Sequence, residues 1–95
     1  MPTQKDEFVK LEAANFLLPI ARGIVDHPEE IKISASTDVH GLRLTILSNE
    51  NDKRYLIGIK GSVAQAMQKL LQLWGRRHGV PAYVFVPRSN NKTNA

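Results

Sequence analysis

Two stretches of this chain alternate apolar and polar residues. Ile31, Ile33 and Ala35 are interleaved with Lys32, Ser34 and Ser36. Leu42, Leu44 and Ile46 are interleaved with Arg43 and Thr45, and the alternation lapses by Ser48. A period of two is the mark of a half-buried strand. Val39-His40-Gly41 lies between them as the expected turn, so the two strands form a hairpin. Elsewhere the period is helical. Phe16, Leu17, Ile20, Ile24 and Val25 are spaced to face a core from one helix. Asn15 is its expected N-cap, and Pro19 falls near its first turn, where a missing N–H matters least. Asp26-His27-Pro28 stops it, because a residue preceding proline avoids the helical region.

Asn49 to Asp52 reads as a loop that caps a short helix from Lys53 to Ile57. A longer helix is expected from Ser62, as cap, to about Arg77, with Val63, Met67, Leu70, Leu71 and Trp74 on one side. Gly79 stops it and Pro81 follows. Val80 to Val86 is β-rich and mostly apolar, a third strand. The order is α-β-β-α-α-β: an α+β domain, with a three-stranded sheet and helices packed on one face. Ninety-five residues suffice for one domain with one modest core. We place it at residues 15–88, after an N-terminal extension, 1–14, whose order the sequence leaves open between a loose segment and a partly ordered one. A polar tail, 89–95, is expected to be disordered.

Between the second and third predicted helices stands Leu56-Ile57-Gly58-Ile59-Lys60-Gly61-Ser62-Val63. Glycine has no Cβ to collide with a ligand and tolerates positive φ. The first N–H groups of the helix that follows are unpaired and lie at the positive end of its dipole. A Gly-x-x-Gly opening a helix therefore lets a backbone approach a phosphate closely. Two glycines three apart are common by chance, so the apolar pair before them and the helical run after them carry the weight.

This stretch, followed by Ala64, Met67, Leu70 and Leu71, resembles the signature loop and helix of the KH family, in particular its small one-domain bacterial members. Ile20 to Ile31 is similar to that family's helix end, Asp-x-Pro turn and first strand. Gly79 and the strand from Ala82 to Val86 are similar to its close. The resemblance covers about Leu17 to Val86 and implies the type II KH fold, in the element order already read. It also implies a non-catalytic RNA-binding protein of the bacterial cytoplasm. Such a protein acts in post-transcriptional regulation or as an RNA chaperone, and as a dimer with itself or with another KH protein.

By that resemblance, Gly58, Ile59, Lys60, Gly61 and Ser62 hold single-stranded RNA. Lys53 and Arg54 reach neighbouring phosphates, and Ile57, Val63 and Ala64, with Leu44 as a further candidate, line a groove for the bases. For Ile57 and Leu44 a place in the core is the stronger reading. Ile59 differs, because an apolar side chain at a loop tip is hard to bury. Two positions depart from the family. Members usually carry Lys or Arg directly after the first glycine and often Arg after the second, where this chain has Ile59 and Ser62. Lys53-Arg54 stands where members tend to have an apolar residue and a glycine. An apolar loop tip also suits a protein contact, so the alternative is an interaction subunit that dimerises with another KH protein and binds RNA weakly or not at all. Single-stranded DNA is a third ligand that such a loop need not exclude.

Charge sharpens this picture. Residues 1–49 carry five basic and seven acidic side chains, and residues 50–95 carry eight basic and two acidic. The basic half contains the glycines, so an anionic partner is the natural inference; the plainer account is a solvated surface that happens to be basic. Arg76-Arg77-His78 either extends a basic patch or complements a helix C-terminus. Trp74 lies on an apolar helix side, so core outweighs base stacking, and Tyr55 belongs to groove or surface. Asn91-Lys92-Thr93 matches a glycosylation acceptor by chance, since Met1 to Glu7 is too polar for a secretory leader.

There is no cysteine, and His27, His40 and His78 have no metal-ligand spacing. Ser36 and Asp38 near His40 form no nucleophile elbow. No cofactor, metal, small-molecule substrate or membrane contact is expected, and no catalytic residue is assigned.

Overall fold

The computed structural model describes residues 4–87. The proposed tail, 89–95, lies outside the described residues, as do Arg88 and residues 1–3. Six elements follow in order: α1 (Gln4–Arg22), β1 (Lys32–Asp38), β2 (Gly41–Leu47), α2 (Lys53–Ile57), α3 (Ser62–His78) and β3 (Ala82–Phe85). The sheet order is β1-β2-β3. β1 and β2 form the expected antiparallel hairpin, and β3 runs parallel to β2 with Leu42 opposite Ala82 and Leu44 opposite Val84.

The alternation seen in β2 is the alternation of the sheet. Leu42, Leu44 and Ile46 are fully buried, while Arg43 and Thr45 face the other way. α1 and α3 lie over the inner face, α1 against β1 and β2 and α3 against β3. α1 offers Ala13, Leu17 and Ala21, one residue per turn on one side; α3 offers Met67, Leu71 and Trp74. The alanines flanking Leu17 let α1 settle close to the strands. Closing the core, Leu56 of α2 is fully buried.

Two local expectations need correction. α1 does not begin at Asn15; it passes through that position from Gln4, and Pro19 sits inside it. The helix tolerates the proline because Pro19 is on the exposed side, so the carbonyl of Asn15 that loses its donor is near water. Ile24 falls beyond the helix and is 39% exposed rather than in the core. Ser62 is not a cap either. It has helical dihedrals, and the cap position belongs to Gly61, with no side-chain hydrogen bond.

Candidate nucleic-acid interface

α2 and α3 meet at the glycine turn. Gly58 (φ 78°, ψ 175°) ends α2, its N–H donating to the Arg54 carbonyl over 2.8 Å. Ile59 to Gly61 then make one tight turn, closed by the Gly61 N–H on the Gly58 carbonyl at 3.2 Å. Lys60 is left-handed (φ 56°, ψ 28°), as is Gly61 (φ 79°, ψ 15°). The two glycines are required for different reasons. A Cβ on Gly58 would lie 2.5 Å from Val63 Cγ2 and 2.7 Å from the Val63 amide nitrogen. A Cβ on Gly61 would meet nothing within 4 Å, so only its positive φ asks for glycine.

The turn throws Ile59 outward, 84% exposed, with Lys60 and Ser62 also exposed. Arg54, Ser62 and Val63 join Tyr55, Gly58 and Ile59 around an open, mostly apolar cleft of about 510 Å³. The Arg54 guanidinium lies 5.0 Å above the Tyr55 ring and donates to the Tyr55 hydroxyl, which donates to Asp26 at 3.1 Å. Ala64 and Ile57 are half-buried and outside this cleft, and Leu44 is wholly in the core. Trp74 is 8% exposed and stacked on the His78 ring, centroids 4.2 Å apart, so the core reading holds for it.

Lys53 is the correction at the site. It is 4% exposed and its ammonium is buried without a hydrogen-bond partner, so it brings no charge to the surface beside Arg54. Its predecessor explains the fixed start of α2. The Asp52 carboxylate is fully buried and accepts from the Asp26 N–H (3.3 Å), the His27 N–H (2.9 Å) and His27 Nδ1 (3.1 Å). The Asp52 hydrogen bond is the main cause that raises the His27 pKa; burial works the other way. Burial pushes the Asp52 carboxyl up, but the His27 and Asp26 bonds together outweigh it and hold the group below the usual carboxylate range. This staple ties the turn after α1 to the element carrying the glycines. Sequence reasoning missed it, because Asp52 and His27 are 25 positions apart.

A second feature lies along α3. Gln68 turns its side-chain oxygen onto the outer edge of β3, accepting the Val84 N–H at 2.6 Å. Beyond it, a cleft of about 780 Å³ opens between the C-terminal half of α3 and the start of β3. Gly75 forms part of its wall; a Cβ there would lie 2.3 Å from the Val80 carbonyl oxygen. Among the described residues no group of three or more metal-ligating side chains occurs, and no helix is long and apolar enough to cross a membrane.

A three-stranded mixed sheet, helices on one face and a Gly-x-x-Gly break between two of them define a KH-type domain. The chain belongs to the KhpA/KhpB KH-domain family, whose family model matches residues 14–86. It is 31% identical over 52 residues to the RNA-binding protein KhpA of Halalkalibacterium halodurans, covering 55% of this chain and 68% of that protein. It is 33% identical over 55 residues to the RNA-binding protein KhpA of Leifsonia xyli subsp. xyli, covering 58% and 72%. Among solved structures, Aquifex aeolicus Era bound to GDP and AlF4 superposes with a TM-score of 0.58 at 22% identity. That match covers 82% of this chain but 30% of the Era chain, a likeness of fold alone.

Proposed function

We propose that this protein is a non-catalytic RNA-binding protein that holds single-stranded RNA at Gly58–Gly61. One observation carries the reading: the turn lifts Ile59 and Lys60 into solvent between two glycines, with open space beside Gly61, immediately ahead of the N-terminus of α3. The positive end of the α3 dipole and the Lys60 ammonium offer charge to a phosphate. KH domains clamp about four backbone nucleotides at such a loop. Arg54 supplies a second cation on the same cleft as Ile59, Ser62 and Val63. Ile59 supplies an apolar face against a base or ribose. Ile57 and Ala64 flank the turn on either side, half-buried. The relatives' name, RNA-binding protein KhpA, points the same way.

The test is fluorescence anisotropy with labelled short single-stranded RNA, comparing wild type with an Ile59→Asp, Lys60→Asp double variant at two salt concentrations. Both side chains are exposed, so circular dichroism should show the variant folded. Wild type is expected to bind and to weaken with salt through counterion release, and the variant not to bind. Equal binding by both proteins, or none by either, overturns the reading and directs attention to a protein partner at the apolar loop tip.

A further inference from the structure

We propose that Arg54 selects guanine at the site, with Tyr55 and Asp26 as the positioning residues that orient its guanidinium. The inference rests on the RNA-binding reading and gives that site a base preference. The three residues form a chain of polar contacts. The Arg54 guanidinium lies 5.0 Å from the Tyr55 ring centroid, and its Nη2 donates to the Tyr55 hydroxyl over 3.3 Å. The hydroxyl in turn donates to Asp26 Oδ2 over 3.1 Å, across 29 positions of sequence. A hydroxyl has one proton to give. The carboxylate takes it, so a lone pair of the oxygen is left to face the guanidinium. Asp26 is itself fixed, because its main-chain N–H donates to the buried Asp52 carboxylate at 3.3 Å. The orientation of Arg54 is thus tied to the same anchor that seats α2.

A guanidinium carries its N–H donors in a rigid planar fork. Nη2 spends one of them on Tyr55, and among the described residues no ion pair takes another. A second edge of the fork remains, with two parallel donors. Guanine offers the matching pair of adjacent acceptors, O6 and N7. Adenine sets a donor beside N7, and uracil has a donor between its two carbonyls. Cytosine has an adjacent acceptor pair, but its single ring covers less of the apolar wall that Ile59 and Val63 contribute to the cleft. The expected ranking is therefore guanine, then cytosine, then adenine and uracil. Asp26 also argues for a base over a phosphate at this cation. Its carboxylate stands one hydroxyl away from the guanidinium and repels a phosphate, but not a neutral base.

The probes are labelled short oligouridines carrying one varied central base: guanine, cytosine, adenine or uracil. Anisotropy titrations compare wild type with Arg54→Lys, which keeps the charge without the fork, and Tyr55→Phe, which keeps the ring without the hydroxyl. Arg54 is exposed and Tyr55 half-buried, and thermal melting should confirm intact folds. Wild type is expected to prefer the guanine probe over all-uridine RNA by about fivefold, the low end for one bidentate contact because the cleft is open. Arg54→Lys should abolish that preference and leave the salt dependence unchanged, since the charge remains. Tyr55→Phe should reduce the preference to about twofold, less than the full contact because the fork itself survives. All-uridine RNA should bind the three proteins alike. If the four probes bind wild type equally, if another base outranks guanine, or if the preference survives Arg54→Lys, the guanine assignment is refuted and the RNA-binding reading stands. If Tyr55→Phe weakens every probe by the same factor, Tyr55 serves packing and the positioning role falls. If wild type binds no probe, both the inference and the RNA-binding reading fall.

Discussion

Asp52 and Gly58 stand at the two ends of the five-residue α2, and the two ends are built on opposite principles. At the N-terminal end Asp52 is fully buried, and its carboxylate is spent on three donors from the Asp26-His27 turn. At the C-terminal end the turn from Gly58 to Gly61 is held by main-chain bonds and local dihedrals, and its side chains point into solvent. One end fixes where the helix sits in the fold; the other gives up side-chain packing to offer backbone. The difference teaches that a short helix, marginal alone, becomes a rigid mount for an exposed turn when its far end is anchored by a long-range polar contact.

The sharpest way to break this comparison lies within the turn itself. Gly58→Ala forces a Cβ against the Val63 backbone as well as its side chain, and the amide cannot swing aside without shifting the start of α3. Gly61→Ala meets open space and incurs only the left-handed conformation. We expect Gly58→Ala to destabilise by about 3 kcal/mol, combining backbone strain with overpacking, and Gly61→Ala by about 1 kcal/mol. Chemical denaturation of both variants checks the ranking. Equal losses would mean that Gly58 is demanded only by its dihedrals, and that the turn is not packed onto α3.

What could be read in the sequence follows the same division. The turn was legible because its determinants are local: two glycines, an apolar pair before and a helical run after. The C-terminal boundary of α2 and the burial of Leu42, Leu44 and Ile46 were legible for the same reason, since they rest on Gly58 and on a period of two; the N-terminal boundary came out right although Asp52 makes no side-chain cap there. The anchor was not, because nothing near Asp52 in sequence names His27 as its partner. Lys53 misled for a related cause. A lysine next to an arginine reads as a surface pair, yet α2 turns Lys53 toward the interior while Arg54 faces out. α1 misled through Asn15 and Pro19, both strong local stop-and-start signals. They were overridden by a buried stripe, Ala13, Leu17 and Ala21, that runs through them.

Lys53 offers the next test. A buried ammonium without a partner costs free energy that a thioether of similar length does not. Lys53→Met is therefore expected to stabilise the protein by roughly 1 kcal/mol, the low end of what replacing buried charges by apolar groups has yielded. RNA binding should be unchanged, because the side chain never reaches the cleft. A raised melting temperature with an unaltered RNA titration supports both parts. A stability gain accompanied by lost binding would return Lys53 to the surface and to the phosphates.

The smallest effect, and the most direct probe of the anchor, is its pH dependence. His27 has its pKa raised in the fold from an ordinary value of 6.5, first by the Asp52 hydrogen bond. A raised folded pKa means that the native state holds its proton more tightly than the unfolded chain. The contribution is therefore complete below about 6.5 and is lost as pH rises through the folded value. Asp52 is the mirror case. Its pKa is lowered from 3.8, so its contribution is present above that value and is lost as pH falls through the folded one. The anchor is then strongest from about pH 4 to 6.5 and weakens on either side. The His27 ring is 40% exposed, so solvent screens the pair and the upper limb is shallow. Denaturation of wild type and His27→Gln at pH 5.5 and pH 8.5 measures it: wild type should lose more stability than the variant between the two. The two proteins differ at position 27 alone, so a difference belongs to His27. If the two proteins lose the same amount, the carboxylate is held by the main-chain N–H groups alone, and the imidazole adds nothing to the mount.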